Sequence, residues 1–530
     1  TSKRNYNVVW FHQLEYDISV LLYRYHQYFA NTVNLKIKHF GDVVLDISLS
    51  RPYYMIVTYP DKKVVRVFDT KSFFDRSLHK LSYIFDLPHK KNETYDMVRN
   101  DIEKLKAYAL NDAWVQYDLA NVIHNFHKKY NIRVCLSLPQ LAGRIFRHYY
   151  LSEDEYISKV PDEVLQPAIL SYHGGKNGYY LDGVTIVNEC KHIDVNSAYG
   201  YAMTQIPNFV GKGRYIKVNE FIEDFEGIYC ITGKVKKCKY PVIFSHHFIP
   251  LSGEVENVWV TSYELKEAIR KDEVILKKCY GYLWVPDFNC KRNPLKEFVI
   301  DMYKLKIEAK REKNTVLYDF YKQLVNALYG KFFQKRNSKV REIVYTDEKG
   351  TEIIARCDDK VDFFFTEDID KIIWNDTMTD TVYIAGSLFH PFIASLITGF
   401  LRAYIHHFEH KYEALHTATD GFATIKDIEP EDIGDDLGKL EMKYKGRAYF
   451  LRNKLYVFFD DEGKIIDYAL HGFIGTVEQL VDMIERKVTE YEVKHLYKVK
   501  EALREKKVPL KEETIKRCLR GIDFKNIKFI

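Results

Sequence analysis

Two carboxylates in this 530-residue chain stand where metal chemistry could be done. Asp194 closes an apolar, β-branched run (Thr185, Ile186, Val187, then Ile193) that reads as a buried strand. Small and polar residues, Asn196-Ser197-Ala198, then turn the chain. Asp420 precedes Gly421 between two short runs, 413–417 and 422–425, in the pattern of a hairpin. A carboxylate at a strand end can hold a hard divalent cation through its own oxygen and a neighbouring carbonyl, here that of Val195. Alone the pattern is weak, because most aspartates at strand ends cap the next helix.

Other segments must position these groups. Asn314 caps a predicted helix in which Leu317, Tyr321, Leu324 and Leu328 repeat at core-facing spacing. Lys322, Asn326 and Tyr329 fall at i, i+4 and i+7 on another face, and Gly330 is expected to end the helix. A charged helix over 296–313, carrying Lys306, precedes it, and a further helix is expected around 262–270. Near the start, Val8-Val9-Trp10-Phe11-His12 reads as a buried strand followed by a short helix bearing Asp17. Strands are expected at 35–48, 53–59 and 63–68. On the helix beginning near Ile102, Tyr108 and Asp112 share a face. Gly174 and Gly175 follow Tyr172-His173 and let backbone approach a phosphate, although a glycine turn without a ligand explains them equally well.

In order, spacing and residue type, the stretches around Asp194, Lys322–Gly330 and Thr417-Ala418-Thr419-Asp420-Gly421 resemble the three polymerase motifs of family B DNA polymerases. Tyr172-His173-Gly174-Gly175 and Lys454-Leu455-Tyr456 are similar to the Y-x-G-G and K-x-Y motifs of the protein-primed branch, found in bacteriophages and linear plasmids. The resemblance extends to about Tyr456. It implies a multidomain α/β and α+β fold. An exonuclease-like α/β domain, incomplete at its N-terminus, comes first (1–125), then a connector (126–184). A right-hand polymerase follows: palm at 185–205 and 383–475, fingers at 291–331 and thumb at 476–530. Two branch-specific insertions occupy 206–290 and 332–382.

The same resemblance implies DNA-templated addition of deoxynucleotides to a primer 3′-hydroxyl. Two Mg²⁺ ions, or Mn²⁺ in their place, would be held by Asp194, Asp420 and the Val195 carbonyl. Tyr199, Lys306, Lys322 and Asn326 are implied at the nucleotide. Tyr172, Gly174, Gly175, Tyr329, Gly330, Thr398, Arg402, Lys454 and Tyr456 are implied at the DNA. The implied partners are primer-template DNA, dNTPs and a terminal priming protein, with the polymerase a monomer, not membrane-bound, encoded by a virus or plasmid and acting in the host cytoplasm.

Departures qualify this. The family's third motif is Asp-Thr-Asp, and Ala418 occupies its first position. Ala327 stands where Ser is usual, Leu401 where a small residue is usual, and Gln13 where the second exonuclease motif has Asn. Asp17, Lys91, Tyr108 and Asp112 match exonuclease positions, but no Asp-x-Glu precedes Asp17, so no proofreading is expected of these residues alone. The first residue is Thr, as in a fragment. Two alternatives stay open: a catalytically silent or engineered DNA-binding homologue, and a polymerase that starts without a terminal protein.

Bulk composition fits these readings without selecting one. The 41 Tyr and 33 Phe suit base stacking, or a lineage bias. Residues 491–530 hold 12 Lys or Arg against 6 Asp or Glu, leaving the rest of the chain near neutrality. That basic end suits a phosphate backbone or a solvated helix. The eight cysteines form no C-x-x-C pair, and Cys230, Cys238, Cys279 and Cys290 are wrongly spaced for a zinc knuckle, so reduced thiols are expected. The uncharged run from Thr381 to Leu401 contains His390-Pro391 and is expected to be a buried helix rather than a membrane span.

Overall fold

Between residues 32 and 69, runs rich in Val and Ile alternate in burial and build the sheet of a first structural unit in the computed structural model. The structure describes residues 7–21, 32–49, 51–93, 95–98, 100–152, 155–336, 340–346, 352–358, 372–375, 384–496, 512–524 and 526–530. Much of the expected insertion at 332–382, and part of the basic end at 491–530, lie outside these residues.

The first unit comprises 1–149, 304–388 and 496–512. Its eight strands lie in the order Asn7–Phe11, Val64–Asp69, Tyr54–Thr58, Val43–Ser48, Thr32–Phe40, Glu352–Asp358, Val340–Thr346 and Ile372–Asn375. The first pair is parallel and the others antiparallel. The single run expected over 35–48 is two strands, because Gly41 takes φ 60° and turns the chain. Leu35, Ile37, Leu45 and Ile47 pack on Leu14 and Ile18 of the Leu14–Leu21 helix.

Asp101 caps the Ile102–Lys129 helix by accepting from the amides of Glu103 and Lys104. Asn314 likewise caps Thr315–Lys331, accepting from Leu317 N–H at 3.0 Å. Phe320 of that helix stacks on Phe126 with ring centroids 4.2 Å apart, while Tyr321, Leu324 and Leu328 are buried. Lys322 and Asn326 stay on the exposed face, as their spacing predicts. Gly330 does not end the helix. Lys331 continues it, and a Cβ at Gly330 would meet nothing within 4 Å.

The second unit comprises 150–303, 389–495 and 513–530. Its main sheet runs Ile465–Leu470, Leu455–Phe459, Leu440–Arg452, Thr185–Val195, Gly421–Thr424, His416–Thr419 and Lys176–Tyr179, with Lys528–Phe529 beside Thr185–Val195. A second sheet orders Gly253–Thr261, Gly227–Val235, Val274–Val285 and Arg214–Val218, and carries the Ser262–Arg270 helix. The hairpin is shifted from expectation: residues 413–415 stay outside its strands, because Glu413 takes a left-handed φ of 49°.

The Pro391–Lys411 helix is buried along most of its length. It does not stop near Arg402, because Ile405 and Phe408 continue its apolar face. No described helix is long and apolar enough to cross a membrane. His390 caps this helix: Nδ1 accepts from Ile393 N–H at 3.1 Å, and Nε2–H donates to Ser158 O at 2.9 Å.

Burial pushes the His390 pKa down from 6.5 to about 4. A folded pKa below the unfolded one keeps this contribution whole above pH 6.5 and removes it as pH falls toward 4. Thermal melts should therefore show stability declining from pH 6.5 to 4. His390→Asn, which keeps a capping side chain without a titrating group, should flatten that decline by about 1.4 kcal/mol per pH unit. An unchanged slope would locate the pH dependence elsewhere.

Candidate active site

The Thr185–Val195 strand delivers Asp194 between two neighbours, pairing it with Gly421 on one side and Glu441 on the other. Val195 N–H donates to the Asp420 carbonyl at 2.9 Å, which ties the hairpin turn to the strand end. A Cβ at position 421 would overlap Asp194 Oδ1, so glycine is what lets that carboxylate lie against the turn. Thr419 takes a left-handed φ of 65°, and Asp420 N–H donates to Ala418 O at 2.8 Å. The Asp194 side chain keeps 32% of its exposure, with His192 Nε2 at 3.3 Å from Oδ1. Tyr456 is buried, and its hydroxyl donates to Asp467 Oδ2 at 3.2 Å. The same Asp467 oxygen lies 3.8 Å from His192 Nδ1. Lys454 sits in the preceding turn at φ 55°.

Beyond Asp194, Ser197 takes φ 50°, ψ 50° and starts the Ala198–Gln205 helix, placing Tyr199 in its first turn. A Cβ at Gly175 would overlap the Thr419 side chain and lie 3.1 Å from the Tyr199 hydroxyl. Gly175 is thus required by the convergence of hairpin, Tyr199 and backbone. Gly174 is not: a Cβ there would meet nothing within 4 Å.

Arg402 is fully buried. Its Nε donates to Glu264 Oε1 at 2.7 Å, and one terminal nitrogen donates to the carbonyls of His173 at 2.7 Å and Gly174 at 2.9 Å. The residue that resemblance puts at the DNA therefore holds the Tyr172–Gly175 backbone from beneath. Thr398 is buried as well, its hydroxyl turned to the carbonyls of Ala394 and Ser395. Tyr172 remains half-exposed.

Sequence reasoning missed Glu409. It is fully buried, pairs with Lys176, and accepts from Tyr180 OH at 2.6 Å and Thr417 Oγ1 at 2.7 Å. Its signal was being the sole acidic residue of the Pro391–Lys411 helix.

The remaining expected site residues lie in the first unit. Lys91 pairs with Asp112 and donates to Tyr108 OH at 2.7 Å. Burial raises the pKa of Asp17. Asp69, unremarked in the sequence, accepts from Gln13 N–H and Lys71 N–H, both at 2.9 Å. A cleft lined by Gln13, Tyr53, Asp69, Lys71, Gln323 and Asn326 lies between these elements. Lys306 is buried with its ammonium 5.1 Å from the Tyr318 ring centroid, and Tyr329 is half-exposed.

Removing Arg402 would strand a buried carboxylate and two backbone carbonyls. Arg402→Met should cost about 3–5 kcal/mol in urea unfolding, and adding Glu264→Gln should recover part of it. A fully stable Arg402→Met chain would mean that the buried pair does not hold this loop.

Residues 90–381, more than half of the chain, match the model of a family described as DNA polymerase type B, organellar and viral. A DNA polymerase of Acidianus bottle-shaped virus (isolate Italy/Pozzuoli) is 23% identical over 321 residues, which span 58% of this chain and 40% of that relative. The structure is similar in fold to Phi29 DNA polymerase complexed with primer-template DNA and incoming nucleotide substrates. The TM-score is 0.65 at 13% identity, over 97% of this chain and 90% of that one. Against the post-translocation binary complex of the same enzyme the TM-score is 0.64 at 15% identity, over 96% and 91% of the two chains. Matched over more than half its length, the chain belongs to the type B DNA polymerases of organelles and viruses.

Proposed function

We propose that this chain is a DNA-templated DNA polymerase that extends a primer 3′-hydroxyl with deoxynucleotides. One observation supports the reading: Asp194 pairs with Gly421 while Val195 N–H donates to the Asp420 carbonyl, so the two aspartates stand on adjoining backbone and Asp194 is partly exposed. Two carboxylates beside an open backbone fit hard divalent ions such as Mg²⁺, with Mn²⁺ as a substitute. Asp194, Asp420 and the Val195 carbonyl would hold them. Two such ions, when bound, neutralise charge on the transferring phosphate and lower the pKa of the attacking hydroxyl.

The chain's own residues do the rest. Tyr199, fixed in the first helical turn against Gly175, sits under the sugar and excludes a 2′-hydroxyl. Lys322, on the exposed face of its helix, supplies a point charge to the triphosphate, and Asn326 shapes the nascent pair. Lys306, buried with its ammonium over the Tyr318 ring, is the further cation of the nucleotide site. Lys454 and Tyr172 face the primer strand, while Arg402, Thr398 and Tyr456 act as buried supports for the surfaces beside them.

In domain terms, 1–125 is exonuclease-like, with Asp17, Lys91, Tyr108 and Asp112 from its second and third motifs. Residues 185–205 and 383–475 make the palm, 291–331 the fingers and 476–530 the thumb. The partners are primer-template DNA, dNTPs and a terminal priming protein, bound by a monomer. Terminal-protein priming is supported by the Tyr172–Gly175 and Lys454–Tyr456 motifs together with the Phi29-like fold. A virus-encoded enzyme of the host cytoplasm is supported by the viral relative.

Ala418 favours a second reading, a DNA-binding homologue with little or no catalysis. It pairs across the hairpin with Gly421, so a family carboxylate is absent beside the two that remain. Metal-dependent primer extension by the chain and by Ala418→Asp separates the two. Gain of extension on restoring the carboxylate supports the polymerase, and none in either chain supports the silent homologue.

In the Ala418→Asp background, Asp194→Ala or Asp420→Ala should abolish extension while primer-template affinity stays within about twofold. Residual extension with a large loss of affinity would make them DNA contacts instead. Tyr199→Ala should admit ribonucleotides in single-turnover incorporation, and unchanged sugar discrimination would remove it from the nucleotide site. Lys322→Ala should raise the nucleotide concentration needed for half-maximal rate by roughly tenfold or more, the cost of about one charge-assisted contact.

A further inference from the structure

His406 and His410 are four residues apart in the Pro391–Lys411 helix and share one face. Glu273 meets them from the turn between the Ser262–Arg270 helix and the Val274–Val285 strand. Glu273 Oε1 lies 3.1 Å from His406 Nε2 and 3.0 Å from His410 Nε2, and the two nitrogens are 3.2 Å apart. These atoms form a nearly equilateral triangle. Ligands around a tetrahedral zinc at about 2.0–2.1 Å stand about 3.3 Å from one another, so the triangle matches one face of such a tetrahedron.

Proton accounting points the same way. A neutral imidazole has one N–H, yet His406 presents Nε2 to Glu273 and Nδ1 to Glu267 Oε1, at 3.2 Å. His410 Nε2 meets the same Glu273 oxygen and also His406 Nε2. Each of these ring nitrogens thus meets a carboxylate oxygen or another ring nitrogen, and His406 is fully buried. A cation at the two Nε2 atoms would satisfy both rings and the shared Glu273 oxygen at once. It leaves Nδ1–H of His406 to donate to Glu267, whose orientation is fixed in turn by Arg270 Nε at 2.8 Å.

We propose that Glu273, His406 and His410 bind one zinc ion, with water in the fourth position on the partly exposed side at His410. Imidazole and carboxylate donors suit zinc better than the oxygen-seeking ions of a nucleotidyl-transfer centre. Glu267 is a positioning residue. The ion would fasten the Ser262–Arg270 segment and its sheet to the long helix, so its role is to hold structure.

The test uses the full chain, stripped with chelator and titrated with Co²⁺ and then Zn²⁺. Expected are the intense visible bands of four-coordinate cobalt at one equivalent, displaced by one equivalent of Zn²⁺, and a melting temperature raised by zinc. Sites made of carboxylates and water are six-coordinate and give only faint bands, so Asp194 and Asp420 do not interfere. His410→Ala, at the partly exposed ligand, and the isosteric Glu273→Gln should each weaken binding by about 100-fold or more and remove the zinc-dependent stabilisation. Folding of each variant is checked by circular dichroism, and either folded variant suffices. Absence of intense bands in the parent chain, or bands of equal strength in a folded variant, would overturn the site.

Discussion

A carboxylate without solvent, Glu409, constrains the second unit more than any apolar contact does. Stripping an ion of water costs several kcal/mol, and only well-placed partners recover it. Lys176, Tyr180 and Thr417 are those partners, and they come from the strand after the Tyr172–Gly175 loop and from the hairpin that ends in Asp420. Seven residues earlier on the same helix, Arg402 presents the opposite charge to Glu264 and to the loop itself. The loop, the hairpin and the long helix are therefore locked by two buried charges of opposite sign, two helical turns apart. A geometry that relaxed either group would leave an uncompensated ion in the interior.

That lock also holds the two aspartates proposed for the metal site. Asp420 is carried on a four-residue strand, too short to fix a position by itself. The hairpin's register comes from Thr417, from the Lys176–Tyr179 strand beside its first strand and from the Thr185–Val195 strand beside its second. Gly421 and Gly175 then remove the two side chains that would hold these elements apart. Ala418 belongs to this frame, paired with Gly421 across the hairpin and with Asn177 on the neighbouring strand.

Much of this was legible in the sequence. The helix cap at Asn314, the core face of Leu324 and Leu328, and the strand leading to Asp194 follow from short-range periodicity and turn chemistry. What failed was information held between distant segments. Arg402 reads as a surface cation beside DNA because nothing local announces Glu264, 138 residues away, or the carbonyls of His173 and Gly174. The end of the long helix was misjudged for a similar reason: His406, Glu409 and His410 look polar in sequence, whereas in the fold they face one another and acidic or basic partners. The clustering of candidate metal donors is equally non-local. The clustered donors are imidazoles on a helix and a glutamate from a remote turn.

Glu264 has one further consequence. Its Oε2 accepts from the amide and hydroxyl of Thr261 in a capping box, while its Oε1 accepts from Arg402. Thr261 in turn presses on Gly399, where any Cβ would overlap its side chain. Positions 261, 264, 399 and 402 are thus one steric and electrical unit spanning two helices. Single substitutions among them meet either a clash or an orphaned charge, so divergence at these four sites must proceed in concerted steps. Loss of the arginine therefore favours loss of the acid, whereas a side chain at 399 requires a smaller residue at 261.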